Sequence, residues 1–274
     1  MFAIVVSKKD LAGMNIKQCL LKQFDFKPTG SRFEGSPIYS YKGITLYTTS
    51  EESINCEHID KKLNAKLIVF ATKHRSEAGR ASLSVHAPGN WGKAELGGMP
   101  QKLCIAPALY MKAAFINLAE NASHLSYEIT LEVTHHGPYL TNTPCFFIEI
   151  GSSEKQWQDA EAGMVIARTI ISTLLNKPQE AIPCIGFGGG HYAPYFNKIM
   201  LGSGYALGHI CPKYGLEGLN AEMVSQAIER TVPKPNLALL DWKGLGPRKQ
   251  ELLEILKGLG IEHLRCRKVL KTNI

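Results

Sequence analysis

Phe2-Ala-Ile-Val-Val6, closed by Ser7-Lys-Lys-Asp10 and followed by the stretch from Asp10 to Phe24, decides the fold of this chain. Five apolar residues ending in a polar turn read as a buried strand. Beyond it Met14, Ile16, Leu20 and Leu21 recur at helical spacing, and Asp10 is placed to cap that helix. A strand running into a helix opens an α/β unit. Working outward, Pro37 to Thr49 alternates in the β manner about Lys42-Gly43 and predicts a hairpin. Lys66 to Thr72 predicts a buried central strand and Ser82 to His86 a shorter one. Tyr127 to Thr134, Cys145 to Ile150, Ile182 to Phe187, Tyr205 to Ile210 and Leu237 to Leu240 supply further strands. Helices are expected over Leu103 to Glu120, Gln156 to Leu175, Ala221 to Arg230 and Pro247 to Leu259. This order predicts an α/β fold, a mostly parallel or mixed sheet with helices on both faces. The 274 residues are expected to form a single unit over 1–274, with room for two interleaved α/β lobes.

Several classes are excluded on composition. The longest apolar candidate, Cys104 to Ala119, is interrupted by Lys112 and Asn117, short of the roughly 18 residues of a spanning helix. No membrane association is expected. At the amino end the charges follow the apolar stretch, the reverse of a signal peptide. The seven cysteines are odd in number, scattered and without a C-x-x-C pair, which points to a reducing, cytoplasmic setting and no zinc knuckle. Gly186-Phe-Gly-Gly-Gly-His191 fits neither the dinucleotide fingerprint nor the P-loop. Gly-Ser-Ser153 and Gly-Ser-Gly204 lack the strained serine elbow.

Chemistry concentrates where strands end, which in open α/β sheets is where ligands sit. Five of the nine histidines stand there: His86, His135, His136, His191 and His209. Glu149 and Glu154 end another strand. Imidazoles and carboxylates converging on one crevice are the material of a zinc site or a general acid/base pair. His135 and His136 are adjacent, so a regular strand would turn them to opposite faces. Either the strand breaks before Gly137-Pro138 and both enter the site, or one of them is structural. Glu154 opens a long helix, where the helix dipole alone favours a carboxylate. Gly188, Gly189 and Gly190 can bring backbone amides close to an oxyanion. Lys73-His-Arg-Ser-Glu77 reads as a polar loop over the site, with His74 and Arg75 suited to contacting substrate phosphate or carboxylate.

Taken together, Lys73-His-Arg-Ser-Glu77 with Leu83-Ser-Val-His-Ala-Pro-Gly-Asn90, Thr134-His-His-Gly-Pro138, Phe147-Ile-Glu-Ile-Gly-Ser-Ser153, Gly188-Gly-Gly-His-Tyr-Ala-Pro194 and Gly208-His209 resemble the archaeal and plant type of D-aminoacyl-tRNA deacylase. One departure is Cys211, where an ordinary apolar residue is expected. The resemblance implies a zinc-dependent, cytoplasmic hydrolase of the ester between a D-amino acid and the tRNA 3′ end, which keeps D-amino acids out of protein. It also implies a phosphorylase/hydrolase-like fold similar to peptidyl-tRNA hydrolase. Roles within the site follow from chemistry: His86, His136, His191, His209 and Glu154 are the metal candidates, and His135, His136, His191, Glu149, Gly189 and Gly190 the catalytic ones.

The charge points the same way. Lysine plus arginine, 31, against 24 acids leaves +7. From Lys234 onward nine cations face four acids, so +5 of that surplus lies in the last 41 residues. A tRNA-binding face there, with Arg265, Arg267 and Lys268, is the expectation, and the protein would be a monomer or small homo-oligomer. The competing readings are a zinc-dependent aminopeptidase or aminoacylase, which has no need of the basic face, and a non-enzymatic RNA-binding protein whose histidines are structural.

Overall fold

The computed structural model describes residues 1–76 and 79–272. Glu77, expected in the polar loop after Lys73, lies outside the described residues. In chain order the first half contains β1 (Phe2–Ser7), α1 (Leu11–Gln23), β2 (Lys27–Phe33), β3 (Ser36–Tyr41), β4 (Ile44–Thr49), β5 (Leu67–Arg75), β6 (Ser82–His86), α2 (Ala108–Asn121) and β7 (Glu128–Leu131). The second half adds β8 (Cys145–Ser152), α3 (Glu154–Trp157), α4 (Ala160–Leu175), β9 (Ile182–Phe187), α5 (Pro194–Gly202), β10 (Tyr205–Cys211), α6 (Ala221–Glu229), β11 (Leu237–Leu240), α7 (Lys249–Gly258), β12 (Glu262–Arg265) and α8 (Cys266–Thr272).

Eight strands form one mixed sheet in the order β7-β6-β8-β5-β1-β4-β3-β2, with β8, β5, β1 and β4 parallel. Four more form a parallel sheet, β10-β9-β11-β12. The opening strand behaves as its period-2 pattern requires. Ile4 and Val6 pack beneath α1, α2 and α4, while Ala3 and Val5 face the opposite side, covered by single-turn 3-10 helices at 53–55 and 59–61. The larger core also takes in Cys184, Leu207 and Leu239, so both sheets share it. The second sheet's other side packs on Met223, Val224, Leu252 and Leu256 of α6 and α7.

Asp10 caps α1 as expected, accepting from the Gly13 amide at 2.9 Å, and its second oxygen takes the Lys73 amide of β5. The hairpin turns at Lys42 and Gly43, both at positive φ, the geometry that suits a two-residue connection. Four segments differ from expectation. The polar loop read from Lys73 onward is strand as far as Arg75, because β5 keeps pairing with β8 up to Ser152. The helix expected from Leu103 starts at Ala108, because Pro107 terminates a short ladder pairing 106–107 with 231–232. The helix expected over Gln156 to Leu175 divides at Asp159, whose carboxylate caps α4 through the amides of Glu161 and Ala162. The apolar reading of Tyr127 to Thr134 gives a strand only to Leu131, and the chain beyond it leaves the ladder to enter the site.

Candidate metal centre and active site

The site begins as a change of chemistry along two paired strands. On one face β5 presents Ile68, Phe70, Thr72 and His74, and β8 presents Cys145, Phe147 and Glu149, with Phe70 opposite Phe147 and Thr72 opposite Glu149. Phe70 and Phe147 stack at 4.7 Å and make an apolar floor. One residue pair further on the same face is polar: Thr72 Oγ1 donates to Glu149 Oε1 at 2.8 Å. From β6 on the other side of β8, His86 lies stacked on Phe147 with ring centres 5.2 Å apart.

Loops complete the cluster. His136 takes a positive φ of 49°, which breaks the extended alternation and turns its ring to the same side as that of His135. Of the two alternatives for this pair, the strand break is the one observed. The rings of His86, His135 and His136 lie 4.3 to 4.8 Å apart, centre to centre. Each of the three ties Nδ1 to a carbonyl near it in sequence: His86 to Ala87 at 3.3 Å, His135 to Val133 at 2.8 Å and His136 to Gly137 at 2.6 Å. A carbonyl only accepts, so Nδ1 carries a proton in each. On His135 and His136, which burial keeps neutral, Nε2 then keeps its lone pair, the state in which imidazole binds a metal, whereas on His86 burial is outweighed by the facing Glu149, which raises the ring.

Glu132 is the hub. One of its oxygens, Oε2, lies 2.9 Å from His191 Nε2, 3.2 Å from His74 Nδ1 and 3.4 Å from His135 Nε2. Glu149 Oε2 lies 3.6 Å from His74 Nδ1, and Glu149 Oε1 lies 3.6 Å from His86 Nε2. Tyr192 Oη meets the other nitrogen of His74 at 3.0 Å. Burial would lower His74, but its hydrogen bonds to Glu132 and Glu149 push it up to about 11. Burial likewise disfavours charge on the two glutamates, yet His191 and His74 hold Glu132, and His74 and His86 hold Glu149, well below the usual carboxylate range. His136 is lowered to about 4 by burial and by His86, and His135 is lowered by burial and by its histidine neighbours, so both stay neutral.

This donor set is able to hold a metal ion. Three groupings bring one ligand atom from each member within 4.8 Å of the others: His86, His135 and His136; His74, Glu132 and His191; and His86, Glu132 and Glu149. Buried His86 Nε2 and Glu132 Oε1 have no hydrogen-bond partner, which is costly unless something else satisfies them. The donors' identity, tautomers and unsatisfied atoms therefore fit a cation at this place.

The structure brings together His74, His86, His135, His136, Glu149 and His191 of the residues read from sequence. His209 is placed elsewhere: Nδ1 meets Thr134 Oγ1 at 3.1 Å, and Nε2 faces the carbonyls of Cys104 and Arg230 at 3.0 and 3.2 Å. Glu154 is exposed at the first turn of α3. Arg75 ends β5 on the exposed side, beyond His74. Gly188, at positive φ, gives its amide to the Cys211 carbonyl at 2.8 Å, and Gly189 and Gly190 follow it toward His191. Arg265, Arg267 and Lys268 line a separate cavity beside the second sheet. Two residues of the cluster were not among the sequence candidates. Glu132 carried a signal, a lone carboxylate between Leu131 and Val133 in an apolar run, and Tyr192 directly follows His191.

Among the described residues, no helix is long and apolar enough to cross a membrane. The family model described as D-aminoacyl-tRNA deacylase matches residues 61–264. A D-aminoacyl-tRNA deacylase of Thermococcus onnurineus is 40% identical over 273 residues, covering 97% of this chain and 100% of that one. One of Thermococcus kodakarensis is 37% identical with the same coverage. The crystal structure of a conserved protein of unknown function, AF0625, superposes with a TM-score of 0.92 at 33% identity, over 99% of this chain and 97% of that one. Family match, near full-length relatives and a buried histidine–carboxylate cluster agree, and the chain belongs to the D-aminoacyl-tRNA deacylase family.

Proposed function

We propose that this protein hydrolyses the ester of D-aminoacyl-tRNA, releasing the free D-amino acid and tRNA, with zinc held by the histidine cluster. The observation that carries the reading is the shared arrangement of His86, His135 and His136, each with Nδ1 tied to a carbonyl and with a ligand atom within 4.8 Å of the others, His86 and His135 setting Nε2 beside the buried Glu149 and Glu132. Three imidazoles with a further position open are the donor pattern of a hydrolytic zinc site. When bound, zinc supplies a lowered pKa for water and polarises the ester carbonyl.

The chain's own residues do the rest. Glu132 and Glu149 stay ionised at neutral pH, and Glu132 Oε1, without a partner, is the atom to take a proton from the attacking water. His74, held between both carboxylates and Tyr192, keeps them in place. His191, whose side chain is 35% exposed, would hand a proton to the departing tRNA hydroxyl. Gly189 and Gly190 lead into His191, and their amides would face the developing oxyanion. Rejection of L-esters would come from clash with the pocket wall. The basic carboxyl-terminal segment would meet the tRNA, and a cytoplasmic protein acting as one unit over 1–274 fits this role.

Incubating purified protein with D- and L-tyrosyl-tRNA, with and without chelator, and following ester loss tests the reading. Loss of the D-ester only, abolished by chelation and restored by zinc, is expected. Persistence of the D-ester with zinc-loaded protein would overturn it.

A further inference from the structure

A cavity of about 490 Å³ lies outside the histidine cluster, at the carboxyl ends of β11 and β12. Its lining includes five cations and one carboxylate, Asp241, together with the rings of Tyr195 and Trp242. Two of the cations are already posed. The Arg265 guanidinium lies on Trp242, 3.8 Å from the ring centre. Arg267 donates from both Nε and Nη2 to Tyr195 Oη, at 3.2 Å each. Among the described residues neither arginine is paired with a carboxylate. An arginine held over an indole face keeps N–H groups available, and one tethered by a phenol has lost much of its rotamer freedom before any ligand arrives. Planar forks with open N–H groups match the oxygens of a phosphate.

The cavity is joined to the active site by chain. Tyr195 follows His191 by four residues, a span of at most about 14 Å. On the other side Asp241 accepts from the Gly244 amide, and a Cβ on Gly244 would stand 2.2 Å from the Gly189 nitrogen, so the Asp241–Gly244 turn packs directly on the glycine loop. A ligand in this cavity therefore lies within a few nucleotides of an ester at the cluster.

We propose that this cavity clamps a backbone phosphate of the unpaired strand that carries the ester, with Arg265 and Arg267 as donors and Trp242 and Tyr195 as positioning residues. The proposal rests on the deacylase reading for its substrate, and the test separates the two. Zinc-loaded full-length protein is assayed on D-tyrosyl-tRNA and on the D-tyrosyl ester of adenosine, which has no phosphate. In the variant Arg265→Gln with Arg267→Gln, the ratio of kcat/KM for tRNA to that for the adenosine ester should fall about tenfold or more, chiefly through KM. The slope of log kcat/KM against log salt should become shallower by one to two phosphate contacts. Trp242→Leu should move the ratio in the same direction, and Trp242→Phe, which keeps a ring face for Arg265, should restore part of it.

Tryptophan fluorescence is then titrated with 5′-phosphorylated CCA trinucleotide, adenosine monophosphate and inorganic phosphate. Trinucleotide binding that is lost in the double arginine variant and far exceeds phosphate binding supports the clamp. An unchanged ratio and salt slope, or equal binding of trinucleotide and free phosphate, overturns it. If neither ester is cleaved by the unaltered protein, the deacylase reading fails, and the trinucleotide titration still decides the cavity.

Discussion

His191 Nε2 and Glu132 Oε2 lie 2.9 Å apart, and the contact ties the loop after β9 to the chain leaving β7. The histidine–carboxylate cluster is thus built across both sheets, on a carboxylate buried to about 1% exposure. Glu132→Gln keeps the shape and removes the charge and the proton acceptor. Its turnover of D-tyrosyl-tRNA should drop about 10²-fold or more, with the circular dichroism spectrum retained. A rate within threefold of the unaltered protein would remove Glu132 from the chemistry.

Metal content separates the histidines of the cluster from the one placed elsewhere. His136→Ala removes one of the three grouped imidazoles, and its zinc measured after gel filtration should fall well below that of the unaltered protein. His209→Gln, whose position faces Thr134 and two carbonyls, should keep its zinc. The opposite pattern would place the metal at His209.

His209 also predicts an acid sensitivity. Burial, with the nearby Arg230 charge, lowers it from 6.5 to about 4, outweighing the Cys104 and Arg230 carbonyls, which favour the charged ring. The unfolded chain's imidazole takes up a proton near pH 6.5 and the folded one only near 4, so in this window unfolding binds a proton and acid promotes it. The stability tied to His209 is present above pH 6.5 and is lost as pH falls toward 4, by at most about 3 kcal/mol. In chelator, the change in urea midpoint between pH 7 and 4.5 should be smaller for His209→Gln than for the unaltered protein. Equal changes would show that His209 does not titrate in this way.

The glycine loop is constrained from one side only. A Cβ on Gly244 would meet the Gly189 backbone nitrogen at 2.2 Å, whereas a Cβ on Gly190 meets nothing within 4 Å. Gly244→Ala must push the loop that leads to His191, at a cost of roughly 1–3 kcal/mol and with a clear loss of activity. Gly190→Ala should leave thermal stability nearly unchanged. Comparison of the two melting temperatures checks the contrast.

Much of the fold was legible because its signals are local. Alternation in Phe2 to Val6, the cap at Asp10 and the Lys42-Gly43 turn depend on neighbours within a few residues. The strands Ser82–His86, Ile182–Phe187 and Leu237–Leu240 fall where apolar runs predict them. The division at Asp159 was less so, because the apolar stripe continues past the break and only the cap marks it. The antiparallel entry of β6 beside β8, which carries His86 onto Phe147, has no local signal at all.

By itself the sequence determined which chemistry is available: imidazoles and carboxylates at strand ends, a glycine loop, and a basic carboxyl-terminal segment. Only the tertiary structure decided which of them meet. His86 closes β6 and His209 lies two residues inside the end of β10, and register sends one to Glu149 and the other to backbone carbonyls. Glu132 became the hub because the chain leaves the ladder after Leu131, folding a carboxylate from an apolar run among four histidines. Residue type sets what a side chain can bind, but the pairing of distant strands sets what lies within 4 Å of it.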